Sequence, residues 1–272
     1  MTPLLELPFK YTDTTPAFYA IALQSGSNGN CIYVRAGDAH LFFDAGISGV
    51  EAQRRFARHQ LEVPGHGKLF ISHEHSDHAR CAGVFHRKFG FDLHMTPLTH
   101  DALQRGNKLG ELSRVHFFQS GDTIPVGDIA IDTIPTPHDG IDGVAFIIRF
   151  QNKQLGIFTD LGHPFKGLQE LICTLDGVFL ESNYDMDMLI KGPYPYPLKK
   201  RITDSAGHIS NVEAANLLKT AFQSKLKWAV LSHLSGENNT PQLALATHQQ
   251  IVGEDKPVFV ARRDEVSPIF TL

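Results

Sequence analysis

Cysteine is scarce in this chain: Cys31, Cys81 and Cys173 are the only three in 272 residues, and no C-x-x-C pair occurs. Three distant thiols supply neither a disulfide framework nor a thiolate cage for a metal, and they suit free thiols in a reducing compartment. Charge of one sign is lacking as well. The net charge is -4 and the pI about 6.4, so there is no global basic field to mark nucleic-acid binding, and any basic contact must be local. No apolar run approaches the roughly 20 residues that span a bilayer. The first 17 residues lack the basic start and long apolar core of a secretory signal. The expectation is a cytoplasmic protein with no membrane contact and residues 1–17 loosely held. Tandem repeats and low-complexity tracts are also missing, which excludes solenoids and disordered linkers.

Histidine is plentiful instead, with fifteen residues, and three of them crowd into His73-Glu74-His75-Ser76-Asp77-His78. His73 and His75, two apart at the end of an extended run, project to one side, while the adjacent Asp77 and His78 diverge. One turn can therefore serve two metal ions. The H-E-x-x-H metalloprotease reading fails because Asp77 stands where its second histidine would be. Four side chains cannot fill two tetrahedral sites that each keep an open position, so further ligands must come from elsewhere.

Apolar residues make up 42% of the chain and charged residues 20%, an ordinary balance for a folded domain. No break in composition forces a split, and residues 18–272 are expected to form a single domain. Short strand-type runs at 18–23, 31–34 and 41–43 are separated by Gly/Ser/Asn turns. A helix at 51–59, N-capped near Ser48, precedes a strand at 68–72 that delivers the histidine cluster, and 79–89 reads as one helix. A second block places strands at 124–126, 129–134, 144–150, 154–159, 177–180, 228–232 and 258–261. Helices are expected at 165–172, 211–222 and 242–251, the second opened by the capping box Ser210-Asn211-Val212-Glu213. Strands in two blocks with interspersed helices point to an α/β (α+β) fold of two packed sheets with helices outside.

Ligands converge most readily where strands end. His138 follows the strand ending at 134, Asp160 the strand ending at 159, and His233 the strand ending at 232. They complete two sites: His73, His75 and His138 on one ion, Asp77, His78 and His233 on the other, with Asp160 bridging. Such nitrogen and oxygen donors favour zinc and also accept manganese or iron. Asp44 ends another strand and can hydrogen-bond a ligand imidazole. His40, His59, His66, His86, His94, His100, His116 and His248 have no context beyond surface or core filling.

In their order along the chain these residues resemble the metallo-β-lactamase superfamily, with its HxHxDH motif, later histidine, bridging aspartate and final histidine. The resemblance covers most of the chain and implies a four-layer αββα sandwich with a dinuclear site at one edge. A closer resemblance is to the YycJ/WalJ (VicX) branch. It rests on Ser25-Gly26-Ser27-x-Gly29-Asn30, Asp44-Ala45-Gly46, Thr159-Asp160-x-Gly162, Glu181-Ser182-Asn183-x-Asp185, Gly207-His208-x-Ser210-Asn211 and His233-Leu234-Ser235-x-x-Asn238-Asn239. That branch implies a 5′ to 3′ exonuclease acting on DNA. RNase Z-type phosphodiesterases, which the chain also resembles, likewise place a glutamate after a strand and a histidine before a helix, as Glu181 and His208 stand here. Only 72 residues separate Asp160 from His233, so the inserted domain of β-CASP nucleases is not expected.

These resemblances imply a metal-activated water attacking a phosphodiester. Asp77, Glu181 and His208 form the catalytic set, and His208, oriented by Glu181, gives a proton to the leaving alkoxide. Asn183 and Asp185 are candidates to orient this pair or meet substrate. Lys199-Lys200-Arg201, preceded by Tyr194-Pro195-Tyr196-Pro197, is the local basic and aromatic cluster that could hold phosphates and stack a base. Two other classes stay open: hydrolysis of a lactone, thioester or cyclic phosphodiester, and a non-enzymatic metal-binding regulator. Oligomeric state is not readable.

Overall fold

Burial along the first strand sets the layering. In β1 (Phe18–Gln24), Ala20 and Ala22 face one buried layer while Ile21 and Leu23 face another, as the period of two in a strand requires. The computed structural model describes residues 17–106 and 109–272, so the expected loose segment 1–17 lies outside the described residues except for Ala17. From β1 the chain turns through β2 (Cys31–Ala36) and β3 (Ala39–Phe43) as an antiparallel meander. Helix α1 (Gly49–Arg58) then returns it to β4 (Lys68–Phe70), parallel to β3. Helices α2 (Ser76–Ala79) and α3 (Ala82–Phe89) lead to β5 (Asp92–Met95), and α4 (Pro97–Arg105) leads towards β6 (Val115–Phe117), both strands again parallel.

The second sheet repeats this plan. β7 (Thr123–Val126), β8 (Ile129–Pro135), β9 (Val144–Phe150) and β10 (Lys153–Phe158) form an antiparallel meander. After α5 (Leu168–Cys173), β11 (Gly177–Glu181) lies parallel to β10. Helices α6 (Met186–Lys191), α7 (Tyr196–Thr203) and α8 (Asn211–Ala221) precede β12 (Trp228–Ser232), and α9 (Pro241–Val252) precedes β13 (Val258–Val260), both strands parallel to β11. The terminal strand β14 (Phe270–Thr271) pairs with β1. The two sheets run β14-β1-β2-β3-β4-β5-β6 and β13-β12-β11-β10-β9-β8-β7.

Phe43, Phe70, Phe146, Phe179 and Trp228 fill the space between the sheets, with Phe43 stacked 5.4 Å from Phe70 and tilted 5.0 Å from Phe146. Burying each large apolar side chain contributes roughly 1.5–3 kcal/mol. On the outer face of the first sheet Phe42 meets Phe56 of α1 and Phe85 of α3; on that of the second, Val178 and Leu231 meet Leu217 and Leu218 of α8. The result is the expected αββα sandwich. The carboxyl ends of the parallel strands meet at one edge, the place where α/β sheets open a crevice for ligands. Among the described residues no helix is long and apolar enough to cross a membrane.

Caps fall where the side-chain chemistry demands: Ser48 accepts from Glu51 N, and Ser210 with Glu213 closes a capping box. The single helix expected over 79–89 is a correction, since the chain breaks there into α2 and α3. Cys81 N–H bonds to Ala45 O, and the carbonyls of Asp77 and His78 accept from Asn30 N and Ala45 N. The backbone groups that would continue one helix are spent on neighbouring loops. The sequence reading also missed α4, α6, α7, β5, β6 and β14. β6 and β14 are two or three residues long at sheet edges, too short to show a period.

Candidate metal centre

Three non-glycine residues with left-handed backbone stand at the sheet edge: Asp44 (φ 64), Asp160 (φ 56) and His233 (φ 55). They follow β3, β10 and β12, all in the parallel halves of the sheets. Asp and His accept this region more readily than β-branched residues do. His73 and His75 leave the end of β4, and Asp77 and His78 sit in the first turn of α2. His138 stands in the loop between β8 and β9, Glu181 ends β11, and His208 lies between α7 and α8.

These side chains converge. His75 Nδ1 lies 3.0 Å from His73 Nε2 and 3.4 Å from His138 Nε2. His233 Nε2 is 3.2 Å from Asp77 Oδ2, and His78 Nε2 is 3.6 Å from the same oxygen. Asp160 lies between the two groups: Oδ1 is 3.5 Å from His138 Nε2 and 3.4 Å from His233 Nδ1, and Oδ2 is 3.0 Å from His78 Nε2. His73, His75 and His138 have donor atoms within 4.8 Å of one another, as do Asp77, His78 and His233, and Asp160 forms a like group with His73 and His78.

The donor set fits divalent cations. Asp160 Oδ2 is buried and, among the described residues, meets no donor in hydrogen-bonding geometry, which leaves a lone pair for a cation. His138 Nδ1 donates to Gly207 O at 2.8 Å, so its proton is on Nδ1 and the Nε2 lone pair is free. Asp44 Oδ2 is 2.7 Å from His78 Nδ1 and does the same for that ring, while Ser72 N and Oγ donate to the two Asp44 oxygens at 2.8 and 2.9 Å.

Electrostatics reflect this crowding. Burial and the neighbouring His78 push His73 well below the ordinary imidazole value. Burial opposes charge on His78 too, yet the Asp160 and Asp44 carboxylates hold it well above. Against the same opposition, Asp160 and hydrogen bonds to Asp77 and Glu181 raise His233 to about 10. Burial would raise Asp77, but the His233 hydrogen bond brings it to about 2. Glu181, also buried, is brought to about 2 by the charge and hydrogen bond of His208.

Glu181 is fully buried and its Oε1 is 2.6 Å from His208 Nδ1. Its Oε2 accepts from Leu161 N at 2.9 Å, which anchors the carboxylate beside Asp160. With Nδ1 committed to Glu181, Nε2 is the His208 nitrogen left to exchange a proton.

The other sequence candidates divide. Asn183 Nδ2 donates to His233 O at 2.8 Å and lies 3.4 Å from its Nδ1. Asp185 caps α6 by accepting from Met188 N and does not join the converging groups. Lys199 Nζ donates to the carbonyls of Ile190 and Gly192 at 2.6 and 2.8 Å. Arg201 pairs with Asp139 Oδ2, whereas Lys200 is exposed and has no ion pair among the described residues. Both line a cavity of about 290 Å³ together with Asp139, Pro197, Asp204 and Ala206. Sequence reasoning missed Asn30, whose amide is 3.1 Å from His78 Nε2, and Asp139, whose Oδ1 is 3.2 Å from His138 Nε2. It also missed Glu74, which accepts from Ile141 N and braces the 139–142 loop. Asn30 closes a Gly/Ser loop and Asp139 adjoins the candidate ligand His138, the only signals either residue offered.

Residues 25–165 match the Metallo-beta-lactamase superfamily, a stretch that holds Asp44, the whole His73–His78 cluster, His138 and Asp160. The chain belongs to this superfamily. Two curated relatives extend the similarity beyond that stretch. Exodeoxyribonuclease WalJ of Streptococcus pneumoniae serotype 2 is 32% identical over 273 residues, covering 97% of this chain and 98% of its own. Exodeoxyribonuclease YycJ of Bacillus anthracis is 30% identical over 234 residues, covering 85% and 88%. The metallo-beta-lactamase fold protein YhfI of Bacillus subtilis superposes with a TM-score of 0.70 at 17% identity, covering 92% of this chain and 99% of that one, and supports the superfamily fold. As a superfamily member with clustered histidines and aspartates, the chain is a metal-dependent hydrolase.

Proposed function

We propose that this enzyme is a dinuclear metal-dependent phosphodiesterase that degrades DNA as a 5′ to 3′ exonuclease. The observation that carries the reading is the 2.6 Å bond between His208 and buried Glu181, beside Asp160 and within reach of both ligand groups. Hydrolysis of a thioester expels a thiolate that has no need of such a proton donor, whereas a DNA alkoxide leaves poorly without one. The relatives named as exodeoxyribonucleases support the choice of DNA.

His73, His75 and His138 would hold one ion, Asp77, His78 and His233 the other, and Asp160 both; zinc suits this set, with manganese or iron compatible. When bound, such ions supply a water of lowered pKa and stabilise charge on a phosphoryl oxygen. Asp77 Oδ2 and His233 Nε2 stand 3.2 Å apart, so both donor atoms would face the same ion. As the water oxygen bonds to phosphorus and the ester P–O bond breaks, His208 Nε2 gives its proton to the leaving oxygen while Glu181 stabilises the ring's charge. Lys200 is the residue of the basic cluster left free to meet a backbone phosphate, and Tyr196, 76% exposed, can stack a base. The apolar core shared between the sheets supports one domain over 18–272, and the three free cysteines support a cytoplasmic setting.

The test is turnover by metal-loaded protein on 5′-labelled duplex and single-stranded DNA, RNA and a thioester. DNA degraded from its 5′ end, and abolished by Asp160→Ala, is the expected result. Thioester cleavage alone would overturn the proposal.

A further inference from the structure

Three consecutive carbonyls lead into His208, and each accepts a hydrogen bond from the facing loops. Ser205 O takes the Nδ1–H of His163 at 2.6 Å, Ala206 O takes the N–H of Asp139 at 3.1 Å, and Gly207 O takes the Nδ1–H of His138 at 2.8 Å. Gly162 permits this approach: a Cβ there would stand 2.7 Å from Ser205 O and 2.8 Å from Pro137 O. On its own side the segment folds back onto the end of α7, with Gly207 N on Asp204 O and His208 N on Ile202 O.

Two of the three grips belong to residues engaged elsewhere. His138 faces the ligand group, and Asp139 is paired with Arg201. His163 joins no ligand group among the described residues, and its ring nitrogen makes its bond to the segment that ends at His208. A carbonyl accepts only, so that imidazole holds its proton on Nδ1 and acts as a fixed donor.

We propose that His163 is a positioning residue for His208, setting the reach of the ring that protonates the leaving oxygen. The inference rests on the reading of His208 as proton donor and adds to it the residue that aims it. His163 adjoins the bridging Asp160 through a two-residue turn, so the strand end that supplies the bridging carboxylate also sets the donor's place.

Leaving groups of different quality separate positioning from general damage. A DNA alkoxide needs a proton, whereas the nitrophenolate of bis(p-nitrophenyl) phosphate does not. Metal-loaded full-length His163→Ala should lose about tenfold in kcat on 5′-labelled duplex DNA, the worth of roughly one hydrogen bond. Its KM and metal content should hold, and bis(p-nitrophenyl) phosphate turnover should stay within about twofold. His163→Asn should recover most of the DNA rate, because its amide N–H stands where the imidazole Nδ1–H did. Equal loss on both substrates, or no rescue by asparagine, would overturn the inference. Should His163→Ala not fold, His163→Phe, which fills the ring's volume without the Nδ1–H, must show the same DNA-selective loss, and an unselective loss would refute the inference. His208→Ala is the control for the underlying reading. If it loses both substrates alike, the proton-donor assignment fails; if it is DNA-selective and His163→Ala is not, only the positioning role fails.

Discussion

Replacing Asp44 by asparagine changes one atom and separates metal chemistry from the fold. The carboxylate is buried at φ 64, with Oδ1 accepting from Ser72 N at 2.8 Å and Oδ2 facing Ser72 Oγ at 2.9 Å and His78 Nδ1 at 2.7 Å. Asparagine tolerates left-handed backbone and fills the same volume, so the strand end keeps its shape. The amide nitrogen, however, presents hydrogens to His78 Nδ1. The ring must then accept at Nδ1 and carry its proton on Nε2, the nitrogen 3.0 Å from Asp160 Oδ2. A nitrogen bearing hydrogen has no lone pair to give a metal. Loss of such an outer partner weakens metal binding by about 10–100-fold, or ~1.4–2.7 kcal/mol. Asp44→Ala should add ~1–2 kcal/mol of backbone strain, because alanine resists positive φ. Competition against a chelating dye gives the zinc affinity, and thermal unfolding of metal-free protein gives the fold term. Wild-type zinc affinity in Asp44→Asn would refute the idea that Asp44 sets the His78 tautomer.

Three further outcomes are expected. Lys200→Glu should weaken DNA binding and lower the slope of log Kd against log salt by about 0.9, the share of one phosphate contact, while Lys199→Ala should leave the slope as it is because that ammonium is tied to backbone carbonyls; fluorescence anisotropy with cleavage blocked by chelator decides. Zinc binding should release about two protons near pH 7 and tighten as pH rises, since His78 and His233 are held charged in metal-free protein despite burial; calorimetry in buffers of different ionisation heat that counts no proton would contradict it. Burial lowers His248 from 6.5 to about 4, so its contribution to stability is complete above pH 6.5 and is lost as pH falls towards 4, by at most ~3 kcal/mol; urea unfolding should show a smaller acid loss in His248→Leu, and an equal loss in both proteins would dismiss the attribution.

What could be read from the sequence follows from how local each signal is. The HxHxDH cluster is six residues long, and strand ends at 134, 159 and 232 are marked by apolar runs. The ligand candidates could therefore be named before any fold was known, and the structure brings them within donor reach of one another. Asn30, Asp139 and His163 carried no such mark. Each acts through a contact across 42 to 62 residues, and nothing in their own surroundings announces the partner. Three basic residues in a row look alike in sequence, but helix geometry sends Lys199 to cap α6, Arg201 to a carboxylate and Lys200 to solvent. The break between α2 and α3 was hidden because it is made by loops 30 and 45 claiming helical carbonyls, not by a glycine or proline.

The three left-handed residues at the sheet edge explain why the ligand types and the fold are so closely tied. A strand that continued straight past residue 43, 159 or 232 would keep alternating side chains between the two buried faces, as periodicity of two demands. A single residue at positive φ breaks that alternation and turns the next groups along the edge. For a residue other than glycine the conformation costs of order 1–3 kcal/mol. Partners hold it in place: Asp44 N donates to Phe70 O, and His233 N donates to Ser25 Oγ at 2.8 Å. Glycine would relieve the strain but bring no donor atom, and a β-branched residue would add to it. Aspartate and histidine tolerate the conformation and also bind metal, so each strand end needs a residue from a short list. The apolar core between the sheets stabilises these strained turns, and the strain in turn fixes where the donor atoms stand before any ion arrives.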